Sequence, residues 1–380
     1  MKDVLVVINT LGRAGAETML MDSLMHTPDD WNVSLFVLTG QGEMVHELPP
    51  DVRLLNRQYD DASVLDEAGR RKLAKRVLMY GLHRASVFRN LSYMTDNLIQ
   101  GLKHGGIKNI KYDKLLWRVM SDGAPVSRKK YDLAVAFIEG GSTYYVADHV
   151  KAAEKIALVH VDYEKAGYTQ KLDKDCYDRF DRIYAVSGGV KDSFLRVHPE
   201  CAGRTEVFIN TPDRDRIIEK SLYPADFGRF DQNTGRQLDP DAKIIVSVMR
   251  LTAQKTVDLS ARVCRRLLDD GLNVKWYVFG EGEERKKLEK LIERLDIGDC
   301  FFLCGTVDNP YPYMEACDLY VHLSGYEGRS VALQEALILG KKVVVSDTGG
   351  NGEILKDTSA GIQVKPDVFE AAAAIERELK

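Results

Sequence analysis

Apolar residues along this chain of 380 residues fall into short continuous runs separated by stretches of helical periodicity. In the first half the runs occupy 4–8, 33–38, 52–55, 133–138, 156–159, 183–186 and 207–209. In the second half they occupy 244–249, 274–279, 301–303, 319–323, 343–345 and 362–364. Runs without polar alternation predict strands buried on both faces, and their alternation with helices predicts parallel, doubly wound α/β sheets. The length exceeds what one core supports, so two such domains are expected, at 1–215 and 216–380. Between 211 and 241, Pro212, Pro224 and Pro240 recur among polar residues, a composition that suits a connection between domains.

Regular alternation breaks at 66–130, which predicts an insertion of two or three helices. From 67 to 130 there are 15 Lys/Arg against 4 Asp/Glu, a local balance of +11, which leaves −15 for the remainder of a chain of net charge −4. Tyr80, Val87, Phe88, Tyr93 and Leu115-Leu116-Trp117 are interleaved with the cations. Basic helices of this kind can lie on an anionic bilayer surface; a solvated basic face over ordinary core contacts is the alternative.

The small net charge argues against a dedicated nucleic-acid binder. Six cysteines without Cys-x-x-Cys pairs or zinc-finger spacing read as reduced thiols. No segment reaches the ~18 apolar residues that a membrane-spanning helix needs, so a cytoplasmic protein is expected, with any membrane contact peripheral, on the inner face.

The most informative stretch is Glu327-Gly328-Arg329-Ser330-Val331-Ala332-Leu333-Gln334-Glu335. It puts one carboxylate just before a predicted helix, 331–339, and another inside it, with unpaired backbone N–H groups between them. Such N–H groups attract phosphate, and the flanking acids can accept hydrogen bonds from sugar hydroxyls, the two needs of a nucleotide sugar. Arg250 and Lys255 follow the run at 244–249. Together they would neutralise a diphosphate whose charge grows as a glycosidic bond breaks. In isolation, an Arg-x4-Lys pair such as Arg250 and Lys255 is usually solvated surface, and the alternative for Glu335 is a surface ion pair.

With Phe279-Gly280-Glu281-Gly282 and Val343-Val344-Val345-Ser346-Asp347-Thr348-Gly349-Gly350 followed by Glu353, these motifs resemble the donor domain of glycosyltransferase family 4 over about residues 240–365. The resemblance implies the GT-B fold: two Rossmann-like doubly wound domains facing across a cleft, the first binding acceptor and the second donor. It implies that Arg250 and Lys255 hold the donor diphosphate and Glu335 the ribose hydroxyls. Glu327, with the backbone of Gly328, Arg329 and Ser330, would face the donor sugar and phosphates, and Gly305-Thr306-Val307 would meet the base. No metal or other cofactor is implied, since cations and helix dipoles supply the neutralisation.

In the first half, Gly12-Arg13-Ala14-Gly15-Ala16-Glu17, before a helix expected near Thr18, resembles the family's glycine loop. Gly15 is the residue expected to approach the donor; a simple tight turn is the alternative. His160 ends the run at 156–159 and resembles the family's acceptor-domain histidine beside the reacting sugar, against the alternative of a structural histidine. The other seven histidines lack comparable context. Ser187 is expected to cap a helix, and Asn210 and Asp213 to be structural.

The expected activity is therefore retaining transfer of a sugar from a nucleoside diphosphate sugar, with uridine as base, to an acceptor hydroxyl. The acceptor class expected is a glycan or lipid-linked glycan of bacterial cell-surface polysaccharide synthesis, such as capsule. Rival readings are a GT-B-type nucleotide-sugar epimerase or phosphorylase, and a non-catalytic nucleotide-sugar-binding module. Alanine at Arg250, Lys255 or Glu327 is expected to leave the fold intact while removing transfer.

Overall fold

The computed structural model describes residues 1–64, 66–103, 110–209, 211–230, 239, 241–356 and 358–380. Asn210 lies outside them. The chain divides into two compact units, Met1–Asn210 and Thr211–Lys380.

The first unit is built on strands β1 (Lys2–Ile8), β2 (Trp31–Val37), β3 (Arg53–Leu54), β4 (Lys130–Ala136), β5 (Lys151–Val159), β6 (Arg182–Ala185) and β7 (Thr205–Val207). Its helices are α1 (Gly15–Met25), α2 (Glu67–Leu82), α3 (Ser86–Arg89), α4 (Leu91–Lys103), α5 (Tyr112–Gly123), α6 (Gly141–His149), α7 (Gln170–Asp173) and α8 (Gly188–Val197). Val4 to Ile8 are buried, as expected of a central strand covered on both faces. All pairings are parallel and the strand order is β3-β2-β1-β4-β5-β6-β7. The order reverses between β1 and β4, and the crevice beyond the carboxyl ends of such a pair is where open α/β sheets bind ligands.

The second unit repeats this plan with β8 (Lys243–Val248), β9 (Val274–Phe279), β10 (Phe301–Gly305), β11 (Leu319–His322), β12 (Val343–Ser346) and β13 (Gly361–Val364). Its helices are α9 (Arg214–Ser221), α10 (Val257–Asp269), α11 (Arg285–Leu295), α12 (Tyr311–Ala316), α13 (Val331–Ile338), α14 (Gly349–Leu355) and α15 (Val368–Leu379). The parallel order is β10-β9-β8-β11-β12-β13, so the reversal falls between β8 and β11. Helix α15 buries Ala371, Ala374 and Ile375 in the core of this same unit.

Three expectations change. The polar stretch after 211 is not a bare connection: it contains α9, capped by Asp213, whose Oδ1 accepts the Arg216 N–H at 3.0 Å. Ile217 and Phe227 lie in the second unit's core. One apolar anchor in so short a helix is too little periodicity to read.

Among its described residues the insertion holds four α-helices, α2 to α5, rather than two or three. Two of its cations are also inside the protein. Lys114 Nζ donates to Asp173 Oδ1 at 3.0 Å with both side chains buried, and Arg118 pairs with Asp148 at 2.6 Å.

Finally, α1 starts at Gly15 and not near Thr18. Ala14 is extended, and Glu17 in the first turn favours the positive helix end while accepting the Thr10 hydroxyl at 3.0 Å.

Candidate functional site

In the second unit, the loops leaving β8, β9 and β10 are zipped together by backbone hydrogen bonds. Met249 N–H donates to Phe279 O at 2.9 Å, Leu251 N–H to Glu281 O at 2.9 Å, and Gly280 N–H to Gly305 O at 2.9 Å. Glycine is required at this nest. A Cβ on Gly280 would lie 2.0 Å from the Met249 oxygen, and one on Gly282 would lie 2.2 Å from the Leu251 oxygen. Arg250 and the Gly305-Thr306-Val307 turn therefore lie along one sheet edge. Arg250 is exposed and makes no ion pair among the described residues. Thr306 is exposed, and Val307 packs on the core beneath.

Across the strand-order reversal, Lys255 in the turn after β8 reaches Glu327 in the loop after β11. The ammonium contacts Glu327 Oε1 directly, with both side chains largely buried. The same oxygen accepts from His322 Nε2 at 2.8 Å, and Ser330 Oγ lies 3.5 Å from that nitrogen. The Tyr320 hydroxyl sits 3.4 Å from both His322 Nδ1 and the Val248 carbonyl. Burial by itself would raise the Glu327 carboxyl. The Lys255 charge and the His322 hydrogen bond outweigh it and hold the group well below the usual carboxylate range. Burial lowers the pKa of His322 despite its bond to Glu327, so the imidazole is neutral near pH 7. Glu327 is thus an ionised carboxylate with Oε1 fully engaged. Its Oε2 takes no hydrogen bond among the described residues.

Helix α13 begins where Ser330 Oγ accepts the Leu333 N–H at 3.3 Å, and the chain leaves the helix at Gly340 with φ +72°. Glu335, inside α13, is buried rather than part of a surface pair, and its Oε1 accepts from the Tyr311 hydroxyl at 2.9 Å. Both Glu335 and Glu327 raise the pKa of the buried Tyr320 phenol, after burial itself. Arg329 is half-buried, donates from Nε to Gln334 Oε1 at 3.3 Å, and has its pKa lowered by burial against the opposing charge of Glu353. A Cβ on Gly350 would lie 2.0 Å from the Gly328 oxygen, so α14 rests directly on this loop.

The structure thus brings Lys255 and Glu327 into contact, buries Glu335 against the Tyr311 hydroxyl, and aligns Arg250 and Gly305–Val307 along the same edge. Sequence reasoning missed His322 and Tyr311. His322 was legible in one respect, as a polar residue inside the otherwise apolar run at 319–323, five residues before Glu327.

In the first unit, Gly15 is the exposed first residue of α1, and Ala14 supplies no side-chain cap. His160 ends β5. Burial lowers its pKa against the opposing effects of Glu139 and of a hydrogen bond to the Phe137 backbone, and its Nε2 is sheltered without a hydrogen-bond partner. Its backbone N–H donates to Glu139 Oε2 at 2.9 Å, a residue that sequence reasoning also missed. Ser187 caps α8, its Oγ accepting the Val190 N–H at 3.2 Å.

Comparison with known proteins gives these features a context. Residues 229–380 match the family described as "Glycosyl transferases group 1". The chain is 28% identical over 265 residues to N-acetylgalactosamine-N,N'-diacetylbacillosaminyl-diphospho-undecaprenol 4-alpha-N-acetylgalactosaminyltransferase of Campylobacter jejuni, covering 68% of this chain and 67% of that protein. It is 29% identical over 220 residues to the poly(ribitol-phosphate) alpha-N-acetylglucosaminyltransferase of Staphylococcus aureus, covering 57% and 41%. The crystal structure of Anabaena Alr3699/HepE in complex with UDP-glucose superposes with a TM-score of 0.65 at 17% identity, over 99% of this chain and 89% of that one.

Two parallel doubly wound units and these likenesses define the class. The protein is a glycosyltransferase with the GT-B fold, and its second unit carries the group 1 domain.

Proposed function

We propose that this is a retaining, family 4-type transferase that moves a sugar from a UDP-sugar to a hydroxyl of a glycan or lipid-linked glycan acceptor in bacterial cell-surface polysaccharide synthesis. The observation that carries the reading is the Lys255–Glu327–His322 cluster bridging the β8/β11 reversal, with Arg250 on the same edge. Arg250 and Lys255 neutralise the leaving diphosphate, and no metal is required for that task. Glu327 Oε2 accepts from donor hydroxyls, with the Gly328–Ser330 backbone beside it. Glu335 holds the ribose, Gly305–Val307 the base, and Gly15 and His160 serve from the first unit, which takes the acceptor. The named substrates of the Campylobacter and Staphylococcus relatives, and the UDP-glucose of the Anabaena complex, support this choice of donor and acceptor class.

Arg250 provides the clean test, because it is exposed and unpaired among the described residues. Arg250→Ala is expected to leave the urea midpoint unchanged while cutting transfer about 100-fold or more and weakening UDP binding. Thermal shift against a panel of nucleotide sugars identifies the donor, since selective binding stabilises the native state by mass action. Wild-type transfer rates in Arg250→Ala, or no stabilisation by any nucleotide sugar, would count decisively against the assignment.

We further propose that the insertion docks peripherally on an anionic inner membrane face. No helix among the described residues is long and apolar enough to cross a membrane. Leu78, Met79, Leu82, Phe88 and Leu91 are nevertheless 47–71% exposed, interleaved with the exposed cations Lys75 and Arg84. Apolar side chains beside cations suit the boundary between acyl chains and acidic headgroups. Co-sedimentation is expected with phosphatidylglycerol vesicles, less with phosphatidylcholine, and is expected to fall in Leu82→Asp/Phe88→Asp. Equal pelleting with both lipids removes the proposal.

A further inference from the structure

The two sheets share a plan, and the Glu327–Glu335 motif occupies it in the second. Counting from the first strand of each sheet, Glu327 follows the fourth strand, β11, by five residues, at the reversal between β8 and β11. In the first sheet the fourth strand is β4, and three residues beyond it stands Glu139, at the reversal between β1 and β4. Each unit therefore carries a carboxylate at the position where a parallel sheet presents its ligand crevice.

The surroundings of Glu139 are organised, yet one half of the carboxylate is uncommitted. Asn9, just after β1, donates from Nδ2 to the Glu139 carbonyl at 3.1 Å and accepts the Ser142 N–H on Oδ1 at 2.7 Å, which locks the turn across the reversal. Gly140 holds φ +89°, and a Cβ at Gly141 would lie 2.8 Å from Asn9 Oδ1 and 2.9 Å from the Trp117 ring, so insertion helix α5 closes against the same turn. Glu139 Oε2 accepts the His160 backbone N–H at 2.9 Å. Its Oε1 takes no hydrogen bond, and the half-buried group makes no ion pair, among the described residues. Glu327 has Lys255; Glu139 has no such cation among the described residues.

We infer that Glu139 is a binding residue for hydroxyl groups of the acceptor glycan, with Oε1 as the accepting atom and Asn9, His160 and Trp117 as its support. This rests on the reading that the first unit takes the acceptor. A carboxylate held by one backbone N–H and free on its other oxygen suits a neutral polyol, whose O–H groups donate to it without needing a buried countercharge.

The test uses the full chain saturated with UDP and the methyl glycosides of glucose, galactose and their N-acetylated forms, with monodeoxy analogues, titrated by NMR. The wild type is expected to bind at least one glycoside and to lose about tenfold on the analogue lacking the bonded hydroxyl. Glu139→Ala is expected to weaken the parent glycoside about tenfold and to bind parent and deoxy forms alike, with UDP affinity unchanged. Glu139→Gln, which keeps an oxygen for the His160 N–H, is expected to fall between them. A wild type that binds none of the glycosides, an alanine variant that still discriminates, or a parallel fall in UDP affinity overturns the inference. Failure of the transferase reading is seen separately, as absence of UDP-sugar binding by the wild type.

Discussion

Lys255→Ala is expected to lose both activity and stability, unlike the activity alone that the motif suggests. Its ammonium lies against Glu327 with both side chains largely buried, so deleting it leaves a carboxylate that has been desolvated without its main countercharge. Breaking a buried pair in this way costs about 3–5 kcal/mol, and transfer is expected to fall by roughly two to three orders of magnitude. Glu327→Ala belongs to the same group for the same reason. Lys255→Met/Glu327→Gln, which removes both charges, is expected to recover most of the urea midpoint and none of the transfer. A Lys255→Ala protein that unfolds at the wild-type midpoint would contradict the geometry of this site. The sign with pH follows from the depressed carboxyl of Glu327. Its contribution is present above the ordinary carboxylate range and is lost as pH falls below it.

Asp173→Ala is expected to be the most damaging substitution in the first unit, although it lies outside the proposed chemistry. Asp173 is fully buried and accepts from Lys114 Nζ at 3.0 Å and the Tyr144 hydroxyl at 2.8 Å on one oxygen, and from His198 Nε2 at 3.2 Å on the other. Its carbonyl takes Arg118 at 2.9 Å. Lys114 is equally buried and stacks its charge over Tyr168 at 4.1 Å, so removing Asp173 strands an ammonium in the interior. A loss of about 3–5 kcal/mol is expected. Thermal unfolding measures it, and a midpoint within a degree of wild type would sink the expectation.

Burial opposes ionisation of Asp173, but the Lys114 charge and the His198 hydrogen bond prevail and bring its pKa down to about 2. A depressed folded pKa stabilises above the unfolded value. Wild-type stability is therefore expected to fall by about 2 kcal/mol from this group as pH drops from about 4 towards 2, and Asp173→Ala is expected to lack that part of the slope. The same network ties α5 to α7, which makes the basic insertion an integral part of the first unit's core.

The central strands were readable because a continuous apolar run buried on two faces leaves a local signature, as in Val4 to Ile8 or Val343 to Val345, whereas the exposed run at 207–209 misplaced the edge strand β7, which lies at Thr205–Val207. Helix α9 was not, because Ile217 alone buries it firmly and its polar neighbours mimic a linker. The four side chains proposed for the donor site stand out in the sequence because their types and spacing suit a chemical need: cations for a diphosphate, acids for hydroxyls. Strand order was not, since nothing local says that β1 lies beside β4 or β8 beside β11.

Amino-acid order thus specified the parallel α/β class, the division into two units and the residue types at the edge proposed to hold the donor, all of which depend on short-range periodicity and composition. Tertiary structure alone decided that Lys255 meets Glu327 across 72 residues, that His322 and Tyr311 join the two acids, that Lys114 turns inward to Asp173, and that Glu139 stands at the first sheet's reversal. These partnerships follow from which strands pair and which charges must be buried together, and both depend on contacts between residues far apart in the chain.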